Sequence, residues 1–546
     1  MNNADLIVAT LKNNGVTRGF GIPSGNVLPL MEAMRKGALP FVLTAHEGSA
    51  AFAADVTARM TGAPGFCLAT LGPGATNLTT GVGNAWLDRS PMIALTCNLN
   101  TDQLGRRIQM WIDHHALFRP ITKATLVLKH GAIGETLTDA LGLALSEPKG
   151  PVHLDLPEDV ALATTNEPVP EPARARRLAP PSNDALLRAG DLIAEAKRPI
   201  AVVGASAMRL RDPKLLVRFV ERHNLPFATT TMAKGMIDDH HPLALGCIER
   251  ACRQVQRKFL RSADLIVGIG YDTVEVEYEA WIGERPLLQI DIEPVDIAPS
   301  VALIHAVAGD LDHAFSRLAA TPPTLRSPAS GAGMKGGGND WTTTELDAHR
   351  KNFHALLRPN IDSFTAHAAI DTVRRALPHE GILCFDVGAH THQIASQWPA
   401  HAPKTFHITN GWSSMGFGLP AAIAAKLARP DLPVVCLLGD GCFQMTCGEL
   451  ATATRLGITL PVVVLDDRWL ALIKVKQIRR QFPLYGTELQ TEAYRDPLAH
   501  YFGVPAIGAR TAGELEEALR AALRANGPTV IEAVIDSEHY IDTVYD

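Results

Sequence analysis

The stretch VVCLLGDGCFQ at positions 434–444 decides how the last third of the chain folds. Its uninterrupted apolar run is typical of a strand that is buried on both faces of a parallel sheet. Asp440 stands between Gly439 and Gly441, where that strand has just ended and a helix-like pattern begins. Because Asp-Gly is also the commonest tight-turn dipeptide, the stretch alone indicates either a turn or a functional site.

A second strand-like run, PVVVL at 461–465, is followed at once by Asp466 and Asp467. The residues between the two runs have the spacing of a buried helix, so the segment predicts a strand, a helix and a parallel strand. Such a unit returns the chain to the same edge of the sheet, and Asp440 and Asp467 are therefore expected to converge. Carboxylate oxygens suit Mg²⁺, and the glycines and helix N-terminus suit a phosphate that shares the ion.

The length of 546 residues is too great for one hydrophobic core and indicates three or four domains. Two stretches rich in Pro, Gly and Ser, at 166–184 and 321–344, are typical of linkers. They separate segments 1–165, 185–320 and 345–546, each of which contains a helix-like stretch, a short strand and a glycine. The predicted fold class is α/β, with three doubly wound parallel-sheet domains.

Composition excludes several classes of protein. The chain has 51 basic and 57 acidic residues, a net charge of −6, and so offers nucleic acid no general attraction. Its eight cysteines are scattered without a Cys-x-x-Cys pair, as in proteins of reducing compartments. The N-terminus resembles an amphipathic helix rather than a signal peptide, and no uncharged run reaches the ~18 residues of a membrane span. We expect a cytoplasmic protein without membrane or nucleic-acid partners.

Motifs along almost the whole chain resemble the thiamine diphosphate (ThDP) enzymes of the acetolactate synthase, benzoylformate decarboxylase and pyruvate oxidase group. They are GFGIPSGNVLPLMEAM, TAHEGSAAFAADVTARMTG, ATLGPGATNLTTGVGNAW, RPITK, FDVGAHTHQ, NGWSSMGFGLPAAIAA and the GDG segment. The resemblance implies a pyrimidine-binding domain at 1–165, a central domain at 185–320 and a diphosphate-binding domain at 345–546. One departure is that Asp466-Asp467 stands where the family usually carries Asn-Asn.

The resemblance also implies ThDP and Mg²⁺ as cofactors and assigns residues to them. The ion would be held by the side chains of Asp440 and Asp467 and the carbonyl of Trp469, and the cofactor by Glu47, His390, Ser413, Met415, Gly439, Asp440, Gly441, Cys442 and Asp467. Glu47 would be catalytic, because a glutamate at this place in the family hydrogen-bonds the aminopyrimidine ring and promotes loss of a cofactor proton. On the residues alone, Glu47 would be a solvated helix-start glutamate, Met415 core filler and His390 a solvated histidine.

The implied activity is that of a decarboxylase or carboligase, in the lyase or transferase class, that cleaves or forms a C–C bond next to the carbonyl of a 2-oxo acid or a related compound. In the family, the glutamate of one subunit meets the diphosphate-binding domain of another, which implies a homodimer or homotetramer. Gln109, His114 and His115 lie close to a segment that lines the family's active site, although the histidines could equally be partly buried structural residues. Lys476 replaces a family tryptophan and suggests an anionic acceptor or substrate tail.

The central segment leaves other interpretations open. SADLIVGIGYDT at 262–273 reads as a strand followed by Gly-x-Gly, and Asp291 ends the next strand, a pattern compatible with dinucleotide binding. The third glycine of that motif is missing, so a sheet-packing turn is the alternative, and some relatives bind FAD or ADP here while others bind nothing. An NAD- or FAD-dependent oxidoreductase would leave Glu47, Asp440 and Asp467 without roles. A non-catalytic ThDP-binding protein would not need Glu47.

Overall fold

Three sheets of parallel or nearly all parallel strands, each flanked by helices, organise the computed structural model, which describes residues 1–276, 279–320, 339–489 and 498–544. The predicted α/β fold class is thereby confirmed. The apolar runs that the sequence places before glycines form the inner strands of these sheets, where both faces are covered and a continuous apolar pattern is required.

The N-terminal sheet has six strands, all of whose pairings are parallel. The strands are β1 (Gly19–Gly21), β2 (Phe41–Leu43), β3 (Gly65–Ala69), β4 (Met92–Asn98), β5 (Thr125–Val127) and β6 (Pro151–Pro157). The helices are α1 (Asn3–Asn13), α2 (Leu28–Lys36), α3 (Glu47–Thr61), α4 (Pro73–Leu87), α5 (His114–Phe118), α6 (Ile133–Leu145) and α7 (Glu158–Leu162). The spatial order is β2-β1-β3-β4-β6-β5, so β3 and β4 lie in the interior of the sheet.

The central sheet also has six parallel strands. The strands are β7 (Pro199–Val203), β8 (Phe227–Thr229), β9 (Ala244–Cys247), β10 (Leu265–Ile269), β11 (Leu287–Asp291) and β12 (Leu303–Ala308). The helices are α8 (Asn183–Glu195), α9 (Lys214–Arg222), α10 (Arg253–Leu260), α11 (Glu279–Ile282) and α12 (Leu311–Ala320). The order β12-β11-β10-β7-β8-β9 places the reversal of winding between β10 and β7.

The C-terminal sheet has seven strands, and only its edge pair β17–β18 is antiparallel. The strands are β13 (Ile382–Phe385), β14 (Phe406–His407), β15 (Val434–Gly439), β16 (Leu460–Asp466), β17 (His500–Tyr501), β18 (Val504–Ala509) and β19 (Pro528–Val534). The helices are α13 (Thr343–Leu356), α14 (Ala366–Ala376), α15 (Ala389–Gln397), α16 (Gly418–Ala428), α17 (Asp440–Thr446), α18 (Glu449–Arg455), α19 (Ala471–Arg479), α20 (Ala512–Ala522) and α21 (Tyr540–Thr543). The order is β14-β13-β15-β16-β19-β18-β17.

The switch point of the C-terminal sheet lies between β13 and β15. From β13 the chain crosses to β14 on one side, whereas from β15 it crosses to β16 on the other, and β13 and β15 themselves are paired. Ligands of open α/β sheets bind beyond the carboxyl ends of the strands at such a reversal. The turns that follow β13 and β15 are therefore where a site is expected.

The N-terminal and C-terminal domains share one hydrophobic core. It is built from α3, α4 and α16 together with the inner faces of both sheets, and Phe52 packs edge-on against Phe417 with ring centroids 5.6 Å apart. Because α3 lies between the two domains, all of its residues from Glu47 to Ala58 are buried. This explains the run of alanines and other small side chains in that helix, which lets its neighbours approach closely.

The predicted domain boundaries remain predictions. Residues 165–182 contain no helix or strand, as a linker would, while residues 321–338 of the second predicted linker lie outside the described part of the chain. Helix α13 packs on the central domain, where His349 Nε2 lies 3.0 Å from Gln256 Oε1. Within the described ranges, no helix has both the length and the apolar character needed to cross a membrane.

Candidate cofactor site

Two neighbouring turns at the switch point of the C-terminal sheet lie against each other through the ring of His390. A Cβ atom added to Gly388 would lie 2.6 Å from His390 Cε1, and one added to Gly439 would lie 2.9 Å from the same atom. A side chain at either position would therefore displace the His390 ring. His390 Nε2 is buried and has no hydrogen-bond partner among the described residues. Burial lowers the pKa of His390 to about 4, so the ring is neutral at physiological pH.

Three carboxylates meet at the edge formed by β15 and β16. Asp440 Oδ2 accepts a hydrogen bond of 2.8 Å from the backbone N–H of Arg468, which also donates to Asp466 Oδ1 at 3.1 Å. Asp467 Oδ1 accepts from the N–H of Trp469 at 2.9 Å. Burial and the nearby charges of Asp467 and Asp466 raise the pKa of Asp440, and burial also raises the pKa of Asp467. The predicted convergence is present, and a bound cation would relieve this repulsion.

The loop with Ser413 and Met415 is held by Asp386, which sequence reasoning missed. This carboxylate follows β13 directly, is fully buried, and accepts backbone N–H groups from Gly416 at 3.1 Å and from Gly418 at 2.8 Å. Burial raises the pKa of Asp386 to about 6. The hydrogen bonds to Asp386 hold the loop so that Met415 lies over the start of α17, where a Cβ on Gly441 would lie 3.2 Å from Met415 Cε.

Two further residues predicted to bind the cofactor, Ser413 and Cys442, and the predicted ion ligand Trp469 each make a specific local contact. Ser413 adopts φ of 51°, a left-handed conformation that costs about 1 kcal/mol or more and that its Oγ–H bond to Asn410 O helps to hold. The Cys442 thiol donates to Val387 O at 3.0 Å and so connects the turn after β15 to the turn after β13. The ammonium group of Lys474 lies over the Trp469 ring, 4.3 Å from the ring centroid.

Glu47 begins α3 in the N-terminal domain and is 7% exposed. Its Oε2 accepts a hydrogen bond of 3.0 Å from Asn77 Nδ2. The backbone N–H groups of Ala45 and His46, directly before it, donate to Glu449 Oε1 at 2.9 and 3.2 Å. Within the described residues, no hydrogen bond joins Glu47 to the turns that carry His390 and Asp440.

Comparison with known proteins assigns all three domains. Family profiles of thiamine pyrophosphate (ThDP) enzymes match the chain with the N-terminal TPP binding domain at residues 1–117, the central domain at 186–318 and the C-terminal TPP binding domain at 386–533. The probable acetolactate synthase large subunit of Methanococcus aeolicus is 30% identical, over 100% of this chain and 94% of its own. The chain belongs to the thiamine pyrophosphate enzyme family.

Other relatives extend the same similarity over nearly full length. The probable acetolactate synthase large subunit of Methanocaldococcus jannaschii is 31% identical over 98% of this chain and 92% of its own. The large subunit of acetolactate synthase isozyme 1 of Escherichia coli K12 is 28% identical over 98% of this chain and 94% of its own. These matches confirm an acetolactate synthase-like, ThDP-dependent enzyme and leave a nicotinamide-dependent oxidoreductase without support.

The geometry fits ThDP on observations independent of the similarity. The unpartnered Nε2 of His390 lies beside the glycine turns at the strand edge, where an anionic diphosphate can accept hydrogen bonds from backbone N–H groups and from this nitrogen in its N–H tautomer. The three adjacent carboxylates offer a divalent cation the oxygen ligands that it prefers. One edge of the sheet thus offers hydrogen-bond donors to the cofactor diphosphate and oxygen ligands to the ion.

The two histidines predicted to contact substrate, His114 and His115, face different surroundings. His114 is 1% exposed; its Nδ1 lies 3.0 Å from Thr96 Oγ1 and 3.3 Å from Asp155 Oδ1, and its Nε2 accepts from Gly72 N–H. This position favours the structural role that the sequence left open. His115 is half-buried and bonds Thr125 Oγ1.

Two further predicted substrate residues lie nearer the surface. Gln109 is exposed. Lys476 is half-buried in α19, the helix that follows Asp466 and Asp467 in the chain. Substrate contact by these side chains stays a prediction.

The Gly-x-Gly turn at the switch point of the central sheet packs closely against the neighbouring turn. A Cβ on Gly270, whose φ is 59°, would lie 2.3 Å from Ala207 N, so the Gly-x-Gly turn serves close backbone packing. Glu275 Oε2 accepts the Ala205 N–H at 2.8 Å, where a phosphate would otherwise bind, and burial raises the pKa of Glu275 to about 8. The cavity there measures about 110 Å³. Residues of all three domains line it, and binding of FAD or ADP there stays an open alternative.

Proposed function

We propose that this ThDP enzyme also requires Mg²⁺ and acts on a 2-oxo acid, which it decarboxylates before ligating the product to an acceptor or releasing it. The observation that carries the proposal is the meeting of three carboxylates with the unpartnered nitrogen of His390 at one strand edge. The names of the relatives, all acetolactate synthases, support the carboligase outcome.

Each group of residues has a separate task in this proposal. Asp440, Asp467 and the Trp469 carbonyl hold Mg²⁺, while His390 and the backbone around Gly439, Gly441 and Cys442 receive the diphosphate. When bound, ThDP supplies a carbon nucleophile and an electron sink for C–C bond cleavage. With the cofactor bound, Glu47 would exchange a proton with the aminopyrimidine ring, the Ser413 carbonyl would accept a hydrogen bond from that ring, and Met415 would support the thiazolium.

The proposed assembly is a homodimer or homotetramer. Glu47 faces Asn77 of its own domain and makes no hydrogen bond to the cofactor turns of its own chain within the described residues, which supports a role in a neighbouring subunit's site. We place the enzyme in the cytoplasm, since all eight cysteines are free and seven are buried. Lys476 is proposed to meet an anionic acceptor or substrate tail.

A spectrum and a substrate screen test the proposal. The absorbance spectrum of the purified protein should show no tightly bound nicotinamide, and it also decides whether flavin is bound. The protein should consume at least one 2-oxo acid only when ThDP and Mg²⁺ are both present. ThDP binding without turnover of any 2-oxo acid would favour a non-catalytic ThDP-binding protein. A tightly bound nicotinamide with no ThDP dependence would overturn the proposal.

The departure from Asn-Asn at Asp466-Asp467 gives a specific prediction. Asp467→Ala should severely reduce Mg²⁺-dependent ThDP binding, whereas Asp466→Ala should do so mildly. Asp466 ends β16 and Asp467 begins the turn, so their side chains leave the backbone in different directions. Asp467→Asn should retain or raise ThDP affinity while Mg²⁺ affinity falls modestly, because it keeps an oxygen donor and removes a charge near the diphosphate.

Titration of ThDP at several fixed Mg²⁺ concentrations separates the two affinities. The structure makes this test stringent, because Asp466 and Asp440 both accept a hydrogen bond from the backbone N–H of Arg468. Asp466 is thus closer to the site than strand alternation alone would place it. Equal damage from both alanine substitutions, or loss of binding in Asp467→Asn, would show that the ion is held differently.

Glu449 should act as a positioning residue for Glu47. Its Oε1 holds two backbone N–H groups at the entry to α3, and its Oε2 accepts from Thr452 Oγ1 at 2.7 Å. Glu449→Ala would leave those N–H groups unpaired, and the entry to α3 should shift because a buried unsatisfied group costs roughly 1–3 kcal/mol. The shift would misplace Glu47, so we expect kcat to fall about tenfold or more. Glu449→Gln keeps an acceptor oxygen and should recover most of the activity.

The Glu449 prediction is checked by comparing kcat with the concentration of ThDP that gives half activation. A positioning role lowers kcat in Glu449→Ala and leaves the ThDP requirement nearly unchanged. If Glu449→Gln is as impaired as Glu449→Ala, the carboxylate charge rather than the hydrogen-bond geometry would be responsible.

A further inference from the structure

An interdomain histidine cluster, made of Asp238, His240, His379 and His401, lies outside the cofactor site. His401 Nδ1 lies 3.0 Å from Asp238 Oδ1, and the rings of His379 and His401 stack with centroids 3.8 Å apart. The ring of His240 lies 4.7 Å from that of His401. One ligand atom each from Asp238, His379 and His401 lies within 4.8 Å of the other two.

The backbone around the interdomain histidine cluster is firmly held. Asp238 and His240 belong to the loop before β9 of the central domain, whereas His379 and His401 precede β13 and β14 of the C-terminal domain. The two sides are joined because Asp239 N–H donates to Ala400 O at 3.0 Å and Ala400 N–H donates to Asp239 Oδ2 at 2.9 Å. The Lys234 ammonium also donates to Asp239 Oδ2, so Asp239 is occupied by this scaffold and is not a candidate ligand.

We propose that Asp238, His379 and His401 bind a divalent transition-metal ion, with Zn²⁺ as the best fit. Two imidazole nitrogens and one carboxylate oxygen are a donor set that suits Zn²⁺ and its neighbours in the transition series rather than Mg²⁺, which prefers oxygen ligands alone. A tetrahedral ion needs one more ligand, which His240 or a water molecule supplies. The site lies apart from the three carboxylates at the ends of β15 and β16, and it offers imidazole nitrogen as well as carboxylate oxygen.

The stacked rings show which side chain must move. Their planes differ by 16°, so the nitrogen lone pairs lie in nearly parallel planes and cannot point at one ion as they stand. His379 is exposed and can turn about its side-chain bonds, whereas the His401 side chain is 5% exposed and already fixed by Asp238. Binding therefore consists of rotation of His379 onto an ion at the pair formed by Asp238 and His401.

The expected effect of the ion is to fasten the central domain to the C-terminal domain. Its ligands come from both sides of that interface, and an ion that binds the folded protein raises its apparent stability with ion concentration. This role is independent of the reaction at the ThDP site, and catalysis is expected to proceed without the transition metal.

The experiment uses the untagged full-length protein, freed of metal by a chelator and then saturated with Mg²⁺ and ThDP so that the carboxylate site is filled. Titration with Zn²⁺ should show one equivalent bound per chain and a rise in the melting temperature. Co²⁺ in place of Zn²⁺ should give the intense visible absorption of a tetrahedral N and O site.

The variants decide whether this cluster is the site. His379→Ala and Asp238→Asn should each weaken Zn²⁺ binding at least about tenfold, since even residues beyond the direct ligands of a metal typically account for that much. His500→Ala, which removes another exposed histidine, should leave binding unchanged. The proposal is overturned if the wild-type protein binds no Zn²⁺ equivalent, or if His379→Ala and Asp238→Asn bind it as tightly as His500→Ala does.

Discussion

Glu47→Gln is expected to lower kcat about 100- to 10,000-fold, the usual contribution of a positioned acid or base, while ThDP and Mg²⁺ still bind. Glutamine preserves the shape of the side chain and can still hydrogen-bond, yet it cannot give or take the proton. Since Glu47 is buried at the start of α3 and anchored by Asn77, the amide should occupy the same place. The loss is therefore expected in the chemical step rather than in assembly of the site.

The measurement is steady-state turnover of a 2-oxo acid substrate together with ThDP affinity by calorimetry. Glu135→Gln is a matched control, because Glu135 also lies in the first turn of a helix but is exposed. That control should retain wild-type turnover. Activity of Glu47→Gln within a few-fold of wild type would remove Glu47 from the proton-transfer role.

The sequence predicted that Asp440 and Asp467 lie at one edge of a sheet, because their placement depends on local and topological rules. The apolar runs before Asp440 and Asp466 are typical of strands covered on both faces, and a right-handed crossover brings the ends of two such strands together. The structure has these strands as β15 and β16, with their ends side by side. A parallel sheet thus fixes which turns meet before any side chain is considered.

What the sequence did not reveal are the residues whose roles come from contacts between distant segments. Asp386 reaches Gly416 and Gly418 across 30 residues or more, and Glu449 reaches Ala45 from more than 400 residues away. Neither contact has a periodic pattern that a single sequence could show. For Asp386 the available signal was a carboxylate directly after a strand and two residues before a glycine, an arrangement similar to that of Asp440.

His114 illustrates the converse difficulty. Its place beside His115 suggested proton transfer to a substrate, but α5 turns the His114 ring inward to Thr96 and Asp155 at the ends of two inner strands. Helical neighbours in sequence face different directions, so one histidine of the pair is buried while the other remains half-exposed. Adjacent residues of one type therefore do not imply one function.

Asp440→Ala is expected to have opposite effects on the metal-free protein and on the loaded enzyme. In the loaded enzyme it would remove a proposed direct ligand of Mg²⁺, so Mg²⁺-dependent ThDP affinity should fall at least about 100-fold, beyond the 10- to 100-fold typical of outer-shell partners. Without metal it removes a buried carboxylate that Asp466 and Asp467 repel, so the melting temperature should rise.

These opposite signs separate loss of a ligand from general damage to the fold. The measurement is the melting temperature with and without Mg²⁺ and ThDP, for Asp440→Ala and for the control Asp431→Ala, which removes an exposed carboxylate shortly before β15. Wild type and Asp431→Ala should both gain stability from Mg²⁺ and ThDP, because binding to the folded state alone stabilises it. Asp440→Ala should begin higher and gain little. A variant that gains as much from the cofactors as wild type does would show that Asp440 is not a ligand of the ion. A variant that begins lower than wild type without metal would show that the hydrogen bonds that Asp440 accepts from Gly441 and Arg468 outweigh the repulsion.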